Sequence, residues 1–117
     1  MSERPTLAYK VLTAAEMAEL EHKGVFEGSA DDRRDKFVHL STADQLSGTI
    51  DRHFAGRDDL YLVAVDLGAF GDSLRWEESR GGALFPHLYG PLRLDTVVAY
   101  SPLERNADGS VRLPVTG

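Results

Sequence analysis

Leu60-Tyr61-Leu62-Val63-Ala64-Val65, closed by Asp66, is the most strand-like stretch of this 117-residue chain. It is apolar nearly throughout, so both its faces ask for cover and the strand it forms belongs in the middle of a sheet. Upstream, Leu7 to Leu12 with Tyr9 and Val11 fits an opening strand, and Phe37 to Leu40 fits a second. Each of these runs into a helix start. Thr13-Ala14-Ala15-Glu16 has the capping-box pattern, in which the hydroxyl and the carboxylate each take a backbone N–H of the first turn. It predicts a helix to about Lys23, with Met17, Leu20 and the small Ala14 and Ala18 as the buried stripe and Gly24 as the stop. Thr42-Ala43-Asp44-Gln45 repeats the pattern with Gln in the third position. Leu46, Ile50, His53 and Phe54 then give a second helix its apolar face, ending at Gly56 and Arg57-Asp58-Asp59.

The remaining segments are shorter. Leu67 to Asp72 is turn-rich, Leu74 to Glu77 fits a short strand, and Thr96 to Ser101 fits a clear one. Asn106-Ala107-Asp108-Gly109-Ser110 predicts a turn joining Leu103–Arg105 to Val111–Leu113 as a hairpin, with Val115 to Gly117 frayed. Phe26-Glu27-Gly28-Ser29 followed by the five charges Asp31 to Asp35 offers no apolar face and predicts a solvated loop. Phe85 to Pro91 holds two prolines and a glycine without a regular period and predicts a shaped loop. The order strand, helix, strand, helix, then mainly strands points to α+β. We expect one domain over residues 1–117, with its core at about 7–103, and two main helices packed on a mostly antiparallel or mixed sheet.

Composition narrows the function. With 42% hydrophobic and 27% charged residues the chain is ordinary for a globular domain. Zero cysteines exclude disulfides, thiolate nucleophiles and cysteine-ligated metals. A formal net charge of -6 argues against long nucleic acid as a partner, since that affinity comes from clustered Lys and Arg, but leaves room for one small anion in a local pocket. No apolar run is long enough for a membrane span, and Met1-Ser2-Glu3-Arg4-Pro5 lacks the order of a signal peptide, so the cytoplasm is the expected compartment. His22, His39, His53 and His87 show no H-x-x-x-H spacing, so no metal site is expected, and no nucleotide-loop or nucleophile-elbow motif occurs.

Three segments carry the candidate chemistry. His39 lies in an apolar strand and is followed by Ser41 and Thr42 at a helix start, an arrangement that fits an anion seat and equally fits a core histidine beside ordinary caps. Arg75-Trp76-Glu77, with Arg80 beside Gly81-Gly82, offers guanidinium groups for oxygen recognition, an indole that can stack on a base or fill the core, and a carboxylate. Glu77 fits a general base, a ribose-hydroxyl acceptor, or a salt-bridge partner of Arg75 or Arg80. His87 and Tyr89, either side of Leu88, can bring an imidazole and a phenol to one pocket.

The stretch from Tyr9 to Leu103 closely resembles the small bacterial family catalogued as DUF952. The resemblance rests on Ala8-Tyr9-Lys10-Val11-Leu12, Phe26-Glu27-Gly28-Ser29, Phe37 to Gln45, Leu74-Arg75-Trp76-Glu77 and Phe85 to Gly90. It implies a fold and a site without a reaction. More distantly, Tyr9-Lys10 and His39-Leu40-Ser41 resemble landmarks of ADP-ribosyltransferase-like domains, above all the RNA 2'-phosphotransferase that consumes NAD. That resemblance implies an ADP-ribosyltransferase-like fold, NAD as cofactor, and Tyr9, Lys10 and His39 as site residues. Lys10 stands where those enzymes carry a histidine near the nicotinamide ribose, keeping a donor but altering reach and charge. Glu77 and His87 compete for a third catalytic position. The expected ligand is therefore a small phosphorylated or nucleotide-like molecule, bound by Tyr9, Lys10, Ser41, Thr42, Arg75, Trp76, Arg80 and Tyr89, with His39, Glu77 and His87 as catalytic candidates. The alternative is a non-catalytic binding or assembly module in which the His and Arg residues form a structural polar network.

Overall fold

The computed structural model describes residues 5–114, with the side chain of Arg80 outside the described part. The strands β1 (Leu7–Thr13), β4 (Leu60–Asp66) and β8 (Val97–Pro102) form one antiparallel sheet in the order β1-β4-β8. The Leu60–Val65 stretch is thus central, as its composition demands. Both its faces are covered. Val63 and Val65, with Ala8 and Leu12 of β1, pack against Met17 and Leu20 of α1 (Ala14–Lys23), Phe26, Val38, Leu40, Leu88 and Leu92. Leu60, Leu62 and Ala64, with Tyr9 and Val11, pack against Leu46 and Ile50 of α3 (Leu46–His53). The sheet is a middle layer, which is why β1 and β4 cannot afford the polar alternation usual in antiparallel strands.

A second antiparallel sheet has the order β3-β6-β5, made of β3 (Val38–His39), β6 (Leu84–Leu88) and β5 (Leu74–Glu78). The short strands β2 (Val25–Phe26) and β7 (Leu92–Arg93) pair separately. The two larger sheets are stitched at one point: the Tyr9 amide donates to the Ser41 carbonyl at 2.8 Å, and the Ser41 amide returns the bond at 2.9 Å.

Several sequence expectations need correction. The charged run is not a loop but a helix, α2 (Ala30–Asp35). Its first turn is closed by Ser29 and Asp32, each bonding the other's amide, and its end by Lys36 at φ 70. The described chain therefore has three α-helices, and a short 3-10 turn over Ala43–Gln45 precedes the last of them. Phe85–Leu88 is not a loop but most of a central strand. Pro86 is tolerated there because its carbonyl accepts from Leu40 N at 3.2 Å. The N–H and carbonyl of a strand residue face the same neighbour, so the missing donor points past the end of two-residue β3. On α1 the stripe narrows to Met17 and Leu20, since Ala14 and Ala18 are exposed; on α3, His53 is exposed beside a half-buried Phe54. The expected terminal hairpin does pair, over a short length: Arg105 and Val111 form a bridge beyond the Asn106–Ser110 turn, and the Arg112 amide donates to the Glu104 carbonyl at 2.9 Å. Val115 to Gly117 lie outside the described residues. The capping box at Thr13 and the left-handed stop at Gly24, whose amide donates to the Leu20 carbonyl, form as read.

Leu62 is fully buried between β1 and α3, whereas Val98 of the edge strand β8 stands exposed. Leu62→Ala should cost about 3 kcal/mol and Val98→Ala under about 0.5 kcal/mol, read as shifts of the urea midpoint at constant slope.

Candidate functional site

The second sheet explains the mixed polar and apolar segments. Along Phe37-Val38-His39-Leu40, Leu74-Arg75-Trp76-Glu77 and Phe85-Pro86-His87-Leu88-Tyr89, successive side chains alternate between two faces. Val38, Leu40, Leu74, Trp76 and Leu88 point into the main core. His39, His87 and Arg75 lie in register across β3, β6 and β5 on the other face. There the Phe37 ring stacks on His87 with centroids 3.9 Å apart and 21° between planes, and the His39 and His87 centroids stand 5.8 Å apart.

Behind His87 runs a polar chain. Glu77 Oε1 accepts from His87 Nδ1 at 2.9 Å and from the Tyr89 hydroxyl at 2.7 Å, while the Arg75 guanidinium lies 5.0 Å from the Tyr89 ring centroid. The bonds from Tyr89 and His87 hold the Glu77 carboxyl below its ordinary pKa, and the bond to Glu77 raises that of Tyr89. A carboxylate only accepts, so the proton of the neutral His87 ring sits on Nδ1 and leaves Nε2 as an acceptor. Among the described residues Nε2 has no partner.

On the other side stands Asp32, 2% exposed. Its carboxylate accepts from Lys10 Nζ at 3.0 Å, from the Ser29 amide at 3.0 Å, and from both the amide and Nδ1 of His39 at 3.0 and 2.6 Å. Burial alone raises the pKa of such a carboxyl. Here the His39 bond, the Lys10 charge and the two amides outweigh it and hold Asp32 well below the usual carboxylate range. His39 Nε2 meets a second carboxylate, that of Asp35, at 3.0 Å.

Between these groups opens a cleft of about 300 Å³, at the small end of ligand pockets. Of the sequence candidates it brings together Tyr9, Lys10, His39, Ser41 and His87. Lys10 is consumed by Asp32, and Ser41 bonds the Thr49 hydroxyl at 2.8 Å. The expected anion seat at Ser41 and Thr42 does not form, because the Ser41 amide is spent on Tyr9 and the Thr42 amide on the Gln45 side chain. Trp76 faces the core, half-buried, and not the cleft. Glu77, Arg75 and Tyr89 back the cleft without lining it, and Glu77 pairs with His87 and Tyr89 in place of Arg75. The Arg80 side chain lies outside the described part.

Sequence reading missed two walls. Asp31, Asp32, Arg34 and Asp35 come from α2, and Thr49, Arg52 and His53 from the second half of α3. Only the Ser29-x-x-Asp32 cap signalled the first, and the i, i+4 spacing of Thr49 and His53 the second. Lysine and arginine balance aspartate in the lining, three against three. Lys10 and Arg34 are paired, however, while Arg52 makes no ion pair among the described residues. The Tyr9 hydroxyl likewise has no partner there, and burial raises its pKa. No group of three or more His, Asp or Glu among the described residues is arranged to hold a metal, and no helix there is long and apolar enough to cross a membrane.

A middle-layer sheet, a second sheet with one histidine-bearing face, and a cleft at their seam define a small α+β domain. The family model described as a protein of unknown function, DUF952, matches residues 11–100, and the chain belongs to that family. It is similar to protein CC0527 from Caulobacter crescentus. The X-ray structure is 45% identical over 92% of this chain and 95% of that one, with a TM-score of 0.83. The solution NMR structure is 46% identical over 92% and 91%, with a TM-score of 0.78. No curated protein matches the chain.

Asp32→Asn leaves the buried Lys10 without its counter-charge and should cost about 3–5 kcal/mol, whereas Lys10→Met leaves the carboxylate its three other donors and should cost less; chemical denaturation ranks the two. Because the folded-state pKa of Asp32 is depressed, its contribution is complete above the unfolded value of about 4 and is lost as pH falls toward the folded value. Wild-type stability should therefore drop below about pH 4, and the drop should be shallower in Asp32→Asn.

Proposed function

We propose that the cleft binds a small phosphorylated or nucleotide-like ligand, with Arg52 meeting its negative charge, the Tyr9 hydroxyl donating to it, and His87 Nε2 accepting a proton or hydrogen bond from it. One observation carries this reading. Every buried side-chain polar atom among the described residues has a hydrogen-bond partner, whereas the Tyr9 hydroxyl, His87 Nε2 and the exposed Arg52 guanidinium line one cavity and have no partner among the described residues. Groups left open in the lining of a cleft are what a ligand completes.

The same reasoning assigns Lys10, Asp32 and His39 to the scaffold. Each is satisfied by the protein itself, so this half of the cleft follows the structural-network alternative. It also weighs against NAD. Lys10, which stands where the resembling enzymes place a histidine near the nicotinamide ribose, is held by Asp32, and about 300 Å³ suits a phosphorylated metabolite or mononucleotide better than a whole dinucleotide. If the cleft is catalytic, the residue in place for ADP-ribosyl or phosphoryl transfer is His87. Its Nε2 takes the proton of the acceptor hydroxyl, with Glu77 fixing the tautomer.

A thermal-shift panel of inorganic phosphate, AMP, ADP-ribose and NAD tests the reading. A binder at about 100 times its Kd contributes about 2.7 kcal/mol and raises Tm by several degrees. Arg52→Ala, at an exposed site, should leave the unliganded Tm in place and remove most of the shift. A panel without any shift, or a full shift in Arg52→Ala, would overturn it.

A further inference from the structure

The helix α2 walls the cleft, yet its only buried residue is Asp32. A six-residue helix without an apolar face is held by neither intrinsic helicity nor core packing. What fastens it is ionic: Asp32 to Lys10 and His39, and Asp35 to His39. His39 is the double fastener. Both its ring nitrogens face carboxylate oxygens, at 2.6 and 3.0 Å, and a carboxylate only accepts, so both bonds exist together only in the doubly protonated ring. The neutral ring has one N–H and must leave one carboxylate without its bond. Histidine is the side chain whose charge changes near neutral pH.

We propose that His39 is a proton-dependent latch: charged, it pins α2 over the cleft by bridging Asp32 and Asp35, and neutral, it releases the Asp35 end. The groups facing it are Asp32 and Asp35 on α2, with Arg34 behind Asp35; Tyr9 and Lys10 on β1; and His87 on β6, backed by Glu77. Asp32 stays bound in either state, because Lys10 and the amides of Ser29 and His39 remain. The hinge is therefore at the N-terminal turn of α2 and the free end at Asp35. Charge follows the same direction. Deprotonation removes the imidazolium charge beside the cleft and leaves the Asp35 carboxylate with Arg34 as its ion-pair partner, so an anionic ligand is favoured in the latched state. That consequence rests on the reading of the cleft as an anion-binding site; the latch itself does not.

Amide hydrogen exchange by NMR tests the latch without a ligand. The Lys36 and Phe37 amides both donate to the Asp32 carbonyl at the C-terminal end of α2, so their protection factors report closure of its free end. Between about pH 5 and pH 9 they should fall at least about tenfold, in step with the titration of the His39 ring signals, while amides of β4 keep their protection. Asp35→Ala removes one arm at a helix surface, and its α2 protection should be low and flat with pH. His39→Gln, which cannot titrate, should be flat as well. Constant α2 protection in the wild type, or an unchanged pH dependence in either variant, overturns the latch. The ligand arm is separate. If no compound of the panel binds, the functional reading fails while the exchange data still decide the latch. If inorganic phosphate or AMP binds, its affinity should weaken with rising pH more in the wild type than in Asp35→Ala, and equal slopes overturn the gating.

Discussion

The Lys10–Asp32 ion pair lies where the sheet would otherwise want hydrocarbon. On β1, Ala8 and Leu12 point into the main core, and Lys10 is between them with the same parity. Burying two charges costs several kcal/mol per ion, and the attraction repays it only when the remaining lone pairs and protons are also satisfied. Asp32 meets that condition with donors from three elements: Lys10 of β1, Ser29 at the cap of α2, and the amide and ring of His39 of β3. One carboxylate thereby ties both sheets to a helix whose other fastening is the Asp35–His39 bond.

The same arrangement explains what could and could not be read from the residues. Leu60–Val65 was legible because burial on both faces leaves an unbroken apolar run, and the Thr13–Glu16 cap because both its bonds are local. The second sheet was legible only in part. Its segments alternate with period two, but each is short, and Pro86 with Gly90 and Pro91 made the longest resemble a loop. What admits proline there is the length of a neighbouring strand, which no local pattern records. α2 was hidden for a stronger reason. Five charges in a row read as solvated because helices are normally held by apolar stripes, and this one is held by a lysine 22 residues away.

The site was legible as a set of residues but not as roles. His39, His87, Glu77, Arg75 and Tyr89 do gather on one sheet face, and Tyr9, Lys10 and Ser41 do reach the cleft. Sequence places His39 in a strand and His87 in a shaped loop, each beside a leucine, with nothing local to separate their roles. The fold separates them by how many carboxylates each meets. His87 has one, so one nitrogen is fixed and the other is left to the cleft; His39 has two, so neither is free.

That count gives the cleft its asymmetry. Along the α2 side every strong donor and acceptor is answered within the protein, and a ligand approaching from there would have to displace a charge-assisted bond to gain one. Along the side formed by Tyr9, Arg52 and His87 the open groups include a phenol donor, a guanidinium and an imidazole acceptor, each carried by a different element. Their positions do not depend on one another's contacts. They depend on the Tyr9–Ser41 stitch that sets β1 against β3 and on the Leu46 and Ile50 packing that sets α3 against β1 and β4. A site built this way separates recognition from stability by atom and not by residue: the Tyr9 hydroxyl, the Arg52 guanidinium and His87 Nε2 are left for a ligand, while the Tyr9 ring and His87 Nδ1 belong to the fold.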